Sequence, residues 1–289
     1  MSGRLLLIGG DSEIATATLA GMRQSGLAAV ATTRRRGDLT ADRVFLDLAA
    51  PLGDWHPPAG VEAACIFAAV GNLLDCHRDP AGSALINVTR AIELAELLAA
   101  RGIYVLYLST DKVFDGTRPH MPADAPLSPI SEYGRQKAQT DAHFQRMITA
   151  GAPVGILRLA KIFTPGTGLF PQWRAALAAG TPVRAFRDMM VAPTLAEDVA
   201  AAIAALLGAR ESGVWQLSGA CDIGYAEAAT YIARRIGADP ALVEAVAAAP
   251  AAMPPGSTPL HTTLASSALA ARFGIAPREP WPVIDAILN

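Results

Sequence analysis

The sequence predicts an α/β protein built on a doubly wound parallel sheet, with a smaller, mostly helical C-terminal lobe. Short apolar runs in the first half of the chain are continuous rather than alternating, which is typical of strands buried on both faces. Glycines follow the helix-like runs, at the points where a left-handed C-terminal cap is expected. Alternation of strands and helices in this manner favours a doubly wound sheet.

The strands of the first half are predicted in chain order from these apolar runs. They span residues 4–8, 28–33, 44–46, 64–70, 103–108 and 154–159. The predicted capping glycines are Gly26, Gly102, Gly151, Gly180, Gly208, Gly237 and Gly274.

The pattern changes after Pro165, where helix-like segments dominate. Helices are predicted at 169–179, 195–207, 224–236, 240–249, 266–273 and 282–288, with short strands at 183–186 and 214–217. We therefore expect two parts. Residues 1–164 and about 194–218 form the sheet domain, and about 165–193 and 219–289 form a second lobe over the strand ends.

The composition gives no support for several classes of partner. The formal net charge of −2 gives no argument for nucleic acid or an anionic membrane. The chain has three cysteines, too few and too dispersed for a disulfide framework, and no His-x-x-x-His spacing, so we expect no metal. The N-terminal apolar run is too short for a signal peptide, and no run reaches membrane-spanning length. The expected compartment is the cytoplasm.

The stretch 106–137 carries the strongest chemical signal. The strand at 103–108 leads into the hydroxyl residues Ser109 and Thr110, and a Pro-rich loop then enters a helix carrying Tyr133 and Lys137. Positions i and i+4 share one helix face. A nearby cation favours the phenolate, so we expect the pKa of Tyr133 to fall from its usual value of about 10. A hydroxyl at the end of this strand, the phenol of Tyr133 and the ammonium of Lys137 form a plausible acid-base set for adding or removing hydride at a carbonyl.

The alternative interpretation is a surface helix with an exposed tyrosine and lysine. Lysine usage favours the chemical interpretation, because only three of the 24 basic residues are lysines. Lys112 and Lys137 lie inside this stretch, and Lys161 ends the next strand. Arginine has a higher pKa and a rigid planar fork, so it does not readily replace a compact ammonium.

A glycine-rich turn follows the first strand. It partly matches the pattern G-x-x-G-x-x-G: Gly9 occupies the first glycine position, whereas Ser12 and Ala15 occupy the second and third. Such a turn lets the backbone approach a pyrophosphate at a helix N-terminus. The alternative is an ordinary strand-to-helix turn capped by Ser12. The predicted cofactor contacts here are Gly9, Asp11, Ser12, Glu13 and Ile14.

Basic residues end the second strand, where an acidic residue would hold the ribose diol of NAD. Arginine there accommodates the 2′-phosphate of NADP, so Arg34 and Arg35 predict NADP(H) as the preferred cofactor, with NAD(H) as the alternative. The competing interpretation is a solvated basic turn. Further contacts are predicted at later strand ends, although these residues could also be solvated or purely structural: Asp47 and Leu48 beside the adenine, and Ala68, Ala69 and Val70 where the cofactor would lie flat.

Over nearly its whole length, the chain resembles the extended short-chain dehydrogenases/reductases. It is most similar to the dTDP-4-dehydrorhamnose reductase branch, the sugar-nucleotide 4-ketoreductases. Residues 109–116 resemble that branch's S-T-D-x-V-F-x-G motif, and 133–137 resemble its Y-G-x-x-K motif. Arg158, the D-x-x-x-x-P-T loop at 188–194 and the L-S-G run at 217–219 also match.

The resemblance implies a Rossmann fold in which Thr110, Tyr133 and Lys137 are catalytic. Tyr133 and Lys137 would also contact the cofactor. The first lobe would bind the dinucleotide and the second a nucleotide-sugar, and a homodimer is compatible with the branch. The predicted substrate contacts are Asp111, Lys112, Lys161, Arg187 and Thr194.

Departures from the family pattern concern the substrate. Lys112 stands where the family often has tyrosine, Lys161 where it has a tryptophan near the sugar, and Met189 where it has glutamine. An ammonium at Lys161 suits a carboxylate, several hydroxyls or a close phosphate better than a methyl-bearing 6-deoxy ring. Alternatively, Lys161 extends out of the crevice or pairs with a nearby aspartate.

The leading functional hypothesis is an NADPH-dependent reductase of a keto-sugar attached to a nucleotide. One alternative on the same fold is a nucleotide-sugar epimerase or dehydratase that retains NAD. Another is a non-catalytic regulatory subunit, as the methionine adenosyltransferase β subunit resembles this branch.

Overall fold

The computed structural model describes residues 3–24, 26–248 and 253–289. Within these ranges the strands are β1 (Arg4–Ile8), β2 (Ala29–Thr33), β3 (Arg43–Phe45), β4 (Val61–Ile66), β5 (Tyr104–Thr110), β6 (Val154–Leu159), β7 (Ile162–Phe163), β8 (Val183–Phe186), β9 (Met190–Val191), β10 (Thr194–Leu195), β11 (Gly213–Leu217), β12 (Ile223–Gly224) and β13 (Val243–Val246). The α-helices are α1 (Glu13–Gln24), α2 (Leu73–Arg78), α3 (Pro80–Ala84), α4 (Ala91–Ala99), α5 (Glu132–Thr149), α6 (Leu169–Ala178), α7 (Ala196–Ala209), α8 (Tyr225–Arg235), α9 (Ser267–Phe273) and α10 (Pro280–Leu288).

In the described part of the chain, seven strands form one sheet in the order β11-β6-β5-β4-β1-β2-β3, and all its pairings are parallel. The chain builds outward from β1 to β3, then returns to β4 on the other side of β1. The strand order therefore reverses between β1 and β4. In open α/β sheets a ligand binds at such a reversal, outside the carboxyl ends of the strands. The doubly wound sheet predicted from the sequence is confirmed.

Two hydrophobic cores cover the two faces of this sheet. In β1, Leu5 and Leu7 pack on the face covered by α1 and α7, whereas Leu6 and Ile8 pack on the face covered by α4 and α5. Successive side chains of a strand point to opposite faces, so burial on both sides requires an unbroken apolar run. Each such side chain contributes roughly 1.5–3 kcal/mol relative to its exposed state.

A third core lies outside the sheet, in the segments predicted for the C-terminal lobe. It is built largely from α6, α8 and α10, with Phe170, Ile232 and Ile284 among its fully buried members. Short strand pairs brace it, since β8 pairs with β13 and β9 pairs with β12. This part of the chain therefore has an apolar core of its own.

The helix predicted at 240–249 is wrong. Residues Pro240–Leu242 form a single 3₁₀ turn, capped by Asp239, whose carboxylate accepts from the backbone N–H of Ala241 at 2.8 Å. The chain then continues as β13, parallel to β8. Asp239 and Pro240 are residues that favour the start of a helix. However, residues 243–246 form backbone hydrogen bonds with the edge of β8, which they could not form in a helix. Residue 249 lies outside the described residues.

The end of one helix and the end of one strand also differ clearly from the predictions. Helix α7 runs through Gly208, and Arg210 instead takes the left-handed conformation at φ 53°, with its N–H closing on the carbonyl of Leu206 at 2.8 Å. Leu206 and Leu207 are buried, and their packing stabilises the helix beyond the glycine. The strand predicted at 64–70 ends at Ile66, so residues 68–70 form a loop beyond the sheet.

No helix in the ranges that the structure describes is both long enough and apolar enough to cross a membrane.

Candidate active site

The turn between β1 and α1 is shaped by close backbone packing. Gly9 has φ +89°, and a Cβ there would lie 2.7 Å from the backbone nitrogen of Ala68. Its own N–H donates to the Thr32 hydroxyl at 2.9 Å. Ser12 caps α1 by accepting from the N–H of Ala15 at 3.2 Å. The turn therefore requires glycine at its first position, and it lies against the loop that follows β4.

A cavity of about 400 Å³ opens beside this turn, at the ends of β1, β2 and β4. Glu13 does not line it, and Ile14 lines a neighbouring cavity instead. The other predicted contacts from the strand-end loops all line it: Gly9, Asp11, Ser12, Arg34, Arg35, Asp47, Leu48, Ala68, Ala69 and Val70.

The positive side of this cavity is provided by Arg34 and Arg35. Arg34 has no ion-pair partner within the described ranges, and Arg35 lies 3.7 Å from Asp38. Arg36 turns away, with its guanidinium 3.9 Å from the centre of the Phe45 ring. The carboxylate of Asp11 is paired with Arg43 at 2.7 Å and accepts from the Thr33 hydroxyl at 2.9 Å. The carboxylate of Asp11 is thus paired, and the other charged side chains that line the cavity are Arg34, Arg35 and Asp47.

Asn87 fixes the loop at 68–70, and the sequence analysis missed this residue. It lies in a π-helical turn, Leu85–Arg90, and is buried. Its side-chain amide accepts from the N–H of Val70 at 2.8 Å and donates to the carbonyl of Val70 at 3.0 Å. It also donates to the Gln136 side chain in α5 at 2.8 Å. A polar residue within an apolar helical run was the available signal, since buried polar groups need partners.

Thr110 and Tyr133 meet because α5 begins against the turn that follows β5. Ser131 caps α5 by accepting from the N–H of Gly134 at 3.0 Å. A Cβ on Gly134 would overlap the carbonyl of Lys112, so the glycine permits this close approach. The Thr110 hydroxyl accepts from the N–H of Lys112 at 3.2 Å and donates to the Asp111 carboxylate at 3.0 Å.

Tyr133 keeps its proton in this structure. Burial raises its pKa most, the negative charge of Asp111 raises it further, and a hydrogen bond with Thr110 lowers it by less. The expected lowering of the Tyr133 pKa by Lys137 is therefore wrong. Desolvation of the phenolate is the largest influence on this pKa.

Lys137 is buried behind Tyr133 and lines neither cavity. Its ammonium donates to the carbonyl of Leu108 at 2.6 Å and lies 4.0 Å from the centre of the Tyr107 ring. Burial lowers its pKa to about 7, although the charge of Asp141 acts in the opposite direction. Lys137 consequently titrates close to neutrality.

A buried ion pair explains why Asp141 does not hold Lys137 more strongly. Asp141 and Arg158 are fully buried and form a bidentate pair, with both N–O distances at 2.9 Å. The Ser109 hydroxyl also donates to Asp141 at 2.8 Å, and Arg158 donates to the carbonyl of Ala123 at 2.8 Å. The pair connects β6 to α5, the helix that carries Tyr133 and Lys137, and the Ser109 hydroxyl ties it to β5. Removing one partner of such a pair commonly costs about 3–5 kcal/mol.

A second cavity, of about 470 Å³, is lined by Tyr133. Among its lining residues are Thr110 and three of the predicted substrate contacts, Asp111, Lys112 and Lys161. Lys112 is paired with Asp111 at 3.4 Å. Lys161 is exposed and forms no ion pair within the part of the chain that the structure describes, so its predicted pairing with an aspartate is not seen there.

Arg187 and Thr194 do not line this cavity. Arg187 is exposed, and its backbone N–H donates to the carbonyl of Val246 at 2.9 Å. Thr194 is buried, and its N–H donates to the carbonyl of Lys161 at 3.1 Å. The D-x-x-x-x-P-T loop therefore supports the position of Lys161 by a backbone contact.

The C-terminal part of the chain supplies lining residues that the sequence analysis missed. They include Tyr225 and Thr262. Asp222 positions Thr262 by accepting from its N–H at 2.7 Å and from its hydroxyl at 2.9 Å. No local motif marks these residues, because segments far apart in sequence bring them together. Within the described ranges, no group of three or more histidine, cysteine or acidic side chains could hold a metal ion.

The reversal in strand order, the glycine turn and the Thr110–Tyr133–Lys137 set define an extended short-chain dehydrogenase/reductase with a Rossmann sheet. A family model described as the RmlD substrate binding domain matches residues 3–288. The chain belongs to this family, which confirms the resemblance found in the sequence.

Three similar proteins illustrate the range of the family and fold. A probable low-salt glycan biosynthesis reductase, Agl14, from Haloferax volcanii is 34% identical over 58% of this chain and 58% of its own length. A dTDP-4-keto-6-deoxy-D-glucose reductase from Streptomyces niveus is 28% identical over 85% of this chain and 83% of its own length. The solved structure of Thermus thermophilus UDP-glucose 4-epimerase in complex with NAD has a TM-score of 0.80 at 18% identity, covering 99% of this chain and 97% of that one. At this identity the structural likeness concerns the fold alone.

Proposed function

We propose that the protein is an NAD(P)H-dependent reductase of a keto group on a nucleotide-sugar. The observation that carries the proposal is that Tyr133 and Thr110 line one cavity, and that Gly71 of this cavity directly follows Val70, which lines the other. One cavity has the glycine turn and arginines suited to a dinucleotide, and the other has polar groups suited to a sugar. The names of the two reductase relatives support the same reaction class.

The residues present fit a nicotinamide dinucleotide. The packing of Gly9 against Ala68 leaves the N-terminus of α1 open to a pyrophosphate, which backbone N–H groups there can bind. Arg34 and Arg35 suit the 2′-phosphate of NADP, and this supports NADPH as the preferred cofactor. Asp47 and Leu48 would edge the adenine, and Tyr133 and Lys137 would contact the nicotinamide ribose.

The chain's own residues supply the proton and its positioning. When bound, the reduced nicotinamide supplies the hydride. Tyr133 donates its proton to the carbonyl oxygen of the sugar, and Thr110 donates a hydrogen bond to the same oxygen. The pKa of Lys137 is about 7, so its amine can be charged or neutral near neutral pH. In its charged form it would favour loss of the proton from Tyr133.

The third hydrophobic core supports a division of labour along the chain. Residues 1–164 and about 194–218 would bind the dinucleotide, and about 165–193 and 219–289 would bind the nucleotide-sugar. Lys161, a substrate-side cation, favours a sugar with a carboxylate, several hydroxyls or a close phosphate. The cytoplasmic location, the absence of nucleic-acid and membrane partners and the homodimer remain predictions.

The test is NADPH oxidation measured across dTDP-, UDP-, GDP- and CDP-linked 4-keto sugars, with Tyr133→Phe as the inactive control. We expect turnover of at least one sugar by the unmodified protein. Protein that retains NAD during purification and converts a nucleotide-sugar without consuming NADPH would instead be an epimerase or dehydratase. Binding of NADPH without any turnover in the panel would favour a regulatory subunit.

A further inference from the structure

Tyr225 occupies a defined place on the substrate-side cavity, which it lines together with Thr110, Asp111 and Tyr133. It is the first residue of α8, and its N–H donates to the carbonyl of Met189 at 3.2 Å. The strand just before it, β12, pairs with β9. The backbone at Tyr225 is therefore tied to the segment that forms another wall of the same cavity.

The ring of Tyr225 is fixed by aromatic packing. It meets Phe170 edge-on, with ring centroids 6.2 Å apart and an angle of 61°, and it meets Trp173 at 6.2 Å and 89°. Edge-to-face pairs of this kind are favourable and specify an orientation. Within residues 3–24, 26–248 and 253–289, nothing forms a hydrogen bond with its hydroxyl.

The hydroxyl of Tyr225 is a hydrogen-bond donor at physiological pH. Burial, and then the negative charge of Asp111, raise its pKa to about 12. The Asp111 carboxylate is itself occupied by the Thr110 hydroxyl at 3.0 Å and by Lys112 at 3.4 Å. Many of the residues that line the cavity are apolar. A hydrogen-bond donor that is fixed in such a cavity and has no protein partner is typical of a group that orients a ligand.

We propose that Tyr225 is a substrate-orienting residue whose phenol donates a hydrogen bond to a hydroxyl group of the sugar. The inference rests on the proposed function, because it takes the ligand to be a nucleotide-linked sugar. Tyr133 and Thr110 hold the carbonyl oxygen from one part of the chain, and Tyr225 holds a ring hydroxyl from the other. A site with such a donor discriminates against sugars that lack the hydroxyl, since the phenol would lose its partner.

The test uses Tyr225→Phe, which keeps the ring and removes only the hydroxyl. Binding of dTDP-, UDP-, GDP- and CDP-glucose is measured by calorimetry, and the tightest ligand is then compared with its 2-, 3- and 6-deoxy analogues. We expect the variant to weaken binding of the parent ligand about five-fold, the scale of one net hydrogen bond. The variant should make no difference to the one analogue that lacks the contacted hydroxyl.

The matched control is Tyr231→Phe, on the same helix but outside the cavity, where the ring packs 4.8 Å from that of Trp281. It should bind like the unmodified protein. Equal affinities for Tyr225→Phe and the unmodified protein would overturn the inference, as would an equal loss for every analogue. NADPH consumption, measured in parallel, decides the reductase activity separately. If the unmodified protein bound none of these nucleotide-sugars, the inference about Tyr225 would be overturned, whereas the proposed reductase activity would stand or fall with NADPH consumption alone.

Discussion

The burial of Lys137 makes a quantitative prediction about stability. Its pKa falls from 10.5 to about 7 on folding. Lowering the pKa of a lysine from 10.5 to about 7 corresponds to about 5 kcal/mol of destabilisation of its charged form. Because the folded pKa lies below the unfolded one, this cost is fully present below pH 7 and is relieved as the pH rises from about 7 to 10.5.

The perturbation is Lys137→Met, which removes the charge and keeps the length of the side chain. It also leaves the carbonyl of Leu108 without its donor, at a cost of about 2 kcal/mol. The net expectation is a variant about 3 kcal/mol more stable than the unmodified protein at pH 6. The advantage should vanish near pH 9.5, where only about 1.4 kcal/mol of the original cost remains in the unmodified protein.

The assay is urea unfolding of the cofactor-free protein at pH 6, 7.5 and 9.5. Lys161→Met is the matched control, because its ammonium is exposed and its replacement should change the free energy of unfolding by little. A Lys137→Met protein less stable than the unmodified protein at pH 6 would refute the reasoning. So would a stability difference that stayed constant up to pH 9.5.

Three further predictions concern activity and cofactor choice. Tyr133→Phe should leave NADPH affinity unchanged and cut turnover by at least about 10²-fold in the NADPH oxidation assay, and surviving turnover would exclude Tyr133 as the proton donor. Replacing Arg34 and Arg35 together with alanine should erase a preference for NADPH over NADH of about ten-fold or more in binding titrations, whereas Arg36→Ala should not; equal affinities in the unmodified protein would contradict this. The unmodified enzyme should turn over dTDP-4-dehydrorhamnose poorly, and Lys161→Trp should increase that turnover. Efficient turnover of this sugar by both the unmodified protein and Lys161→Ala would contradict the hypothesis.

The sheet and the residues at its strand ends could be predicted from local sequence patterns. Continuous apolar runs such as the one in β1 predict burial on both faces, and this is a property of each strand that needs no knowledge of its neighbours. Tyr133 and Lys137 were predictable as a pair because helix periodicity places i and i+4 on one face. The glycine turn and the Arg34–Arg35 pair follow from their position after predicted strands, which meet at one edge of a parallel sheet.

The assembled fold sets the protonation of buried groups, since this depends on burial and on partners distant in sequence. Local spacing predicts that Lys137 lowers the pKa of Tyr133, but burial of the phenol and the negative charge of Asp111 raise that pKa instead. Burial likewise lowers the pKa of Lys137, and the charge of Asp141 opposes this only in part. The same reason explains the wrong helix at 240–249, where pairing with β8 outweighs a local helix signal. It also explains Asn87 and Tyr225, whose roles come from contacts with segments remote in the chain. Desolvation and edge pairing are properties of the assembled fold, and no window of the sequence contains them.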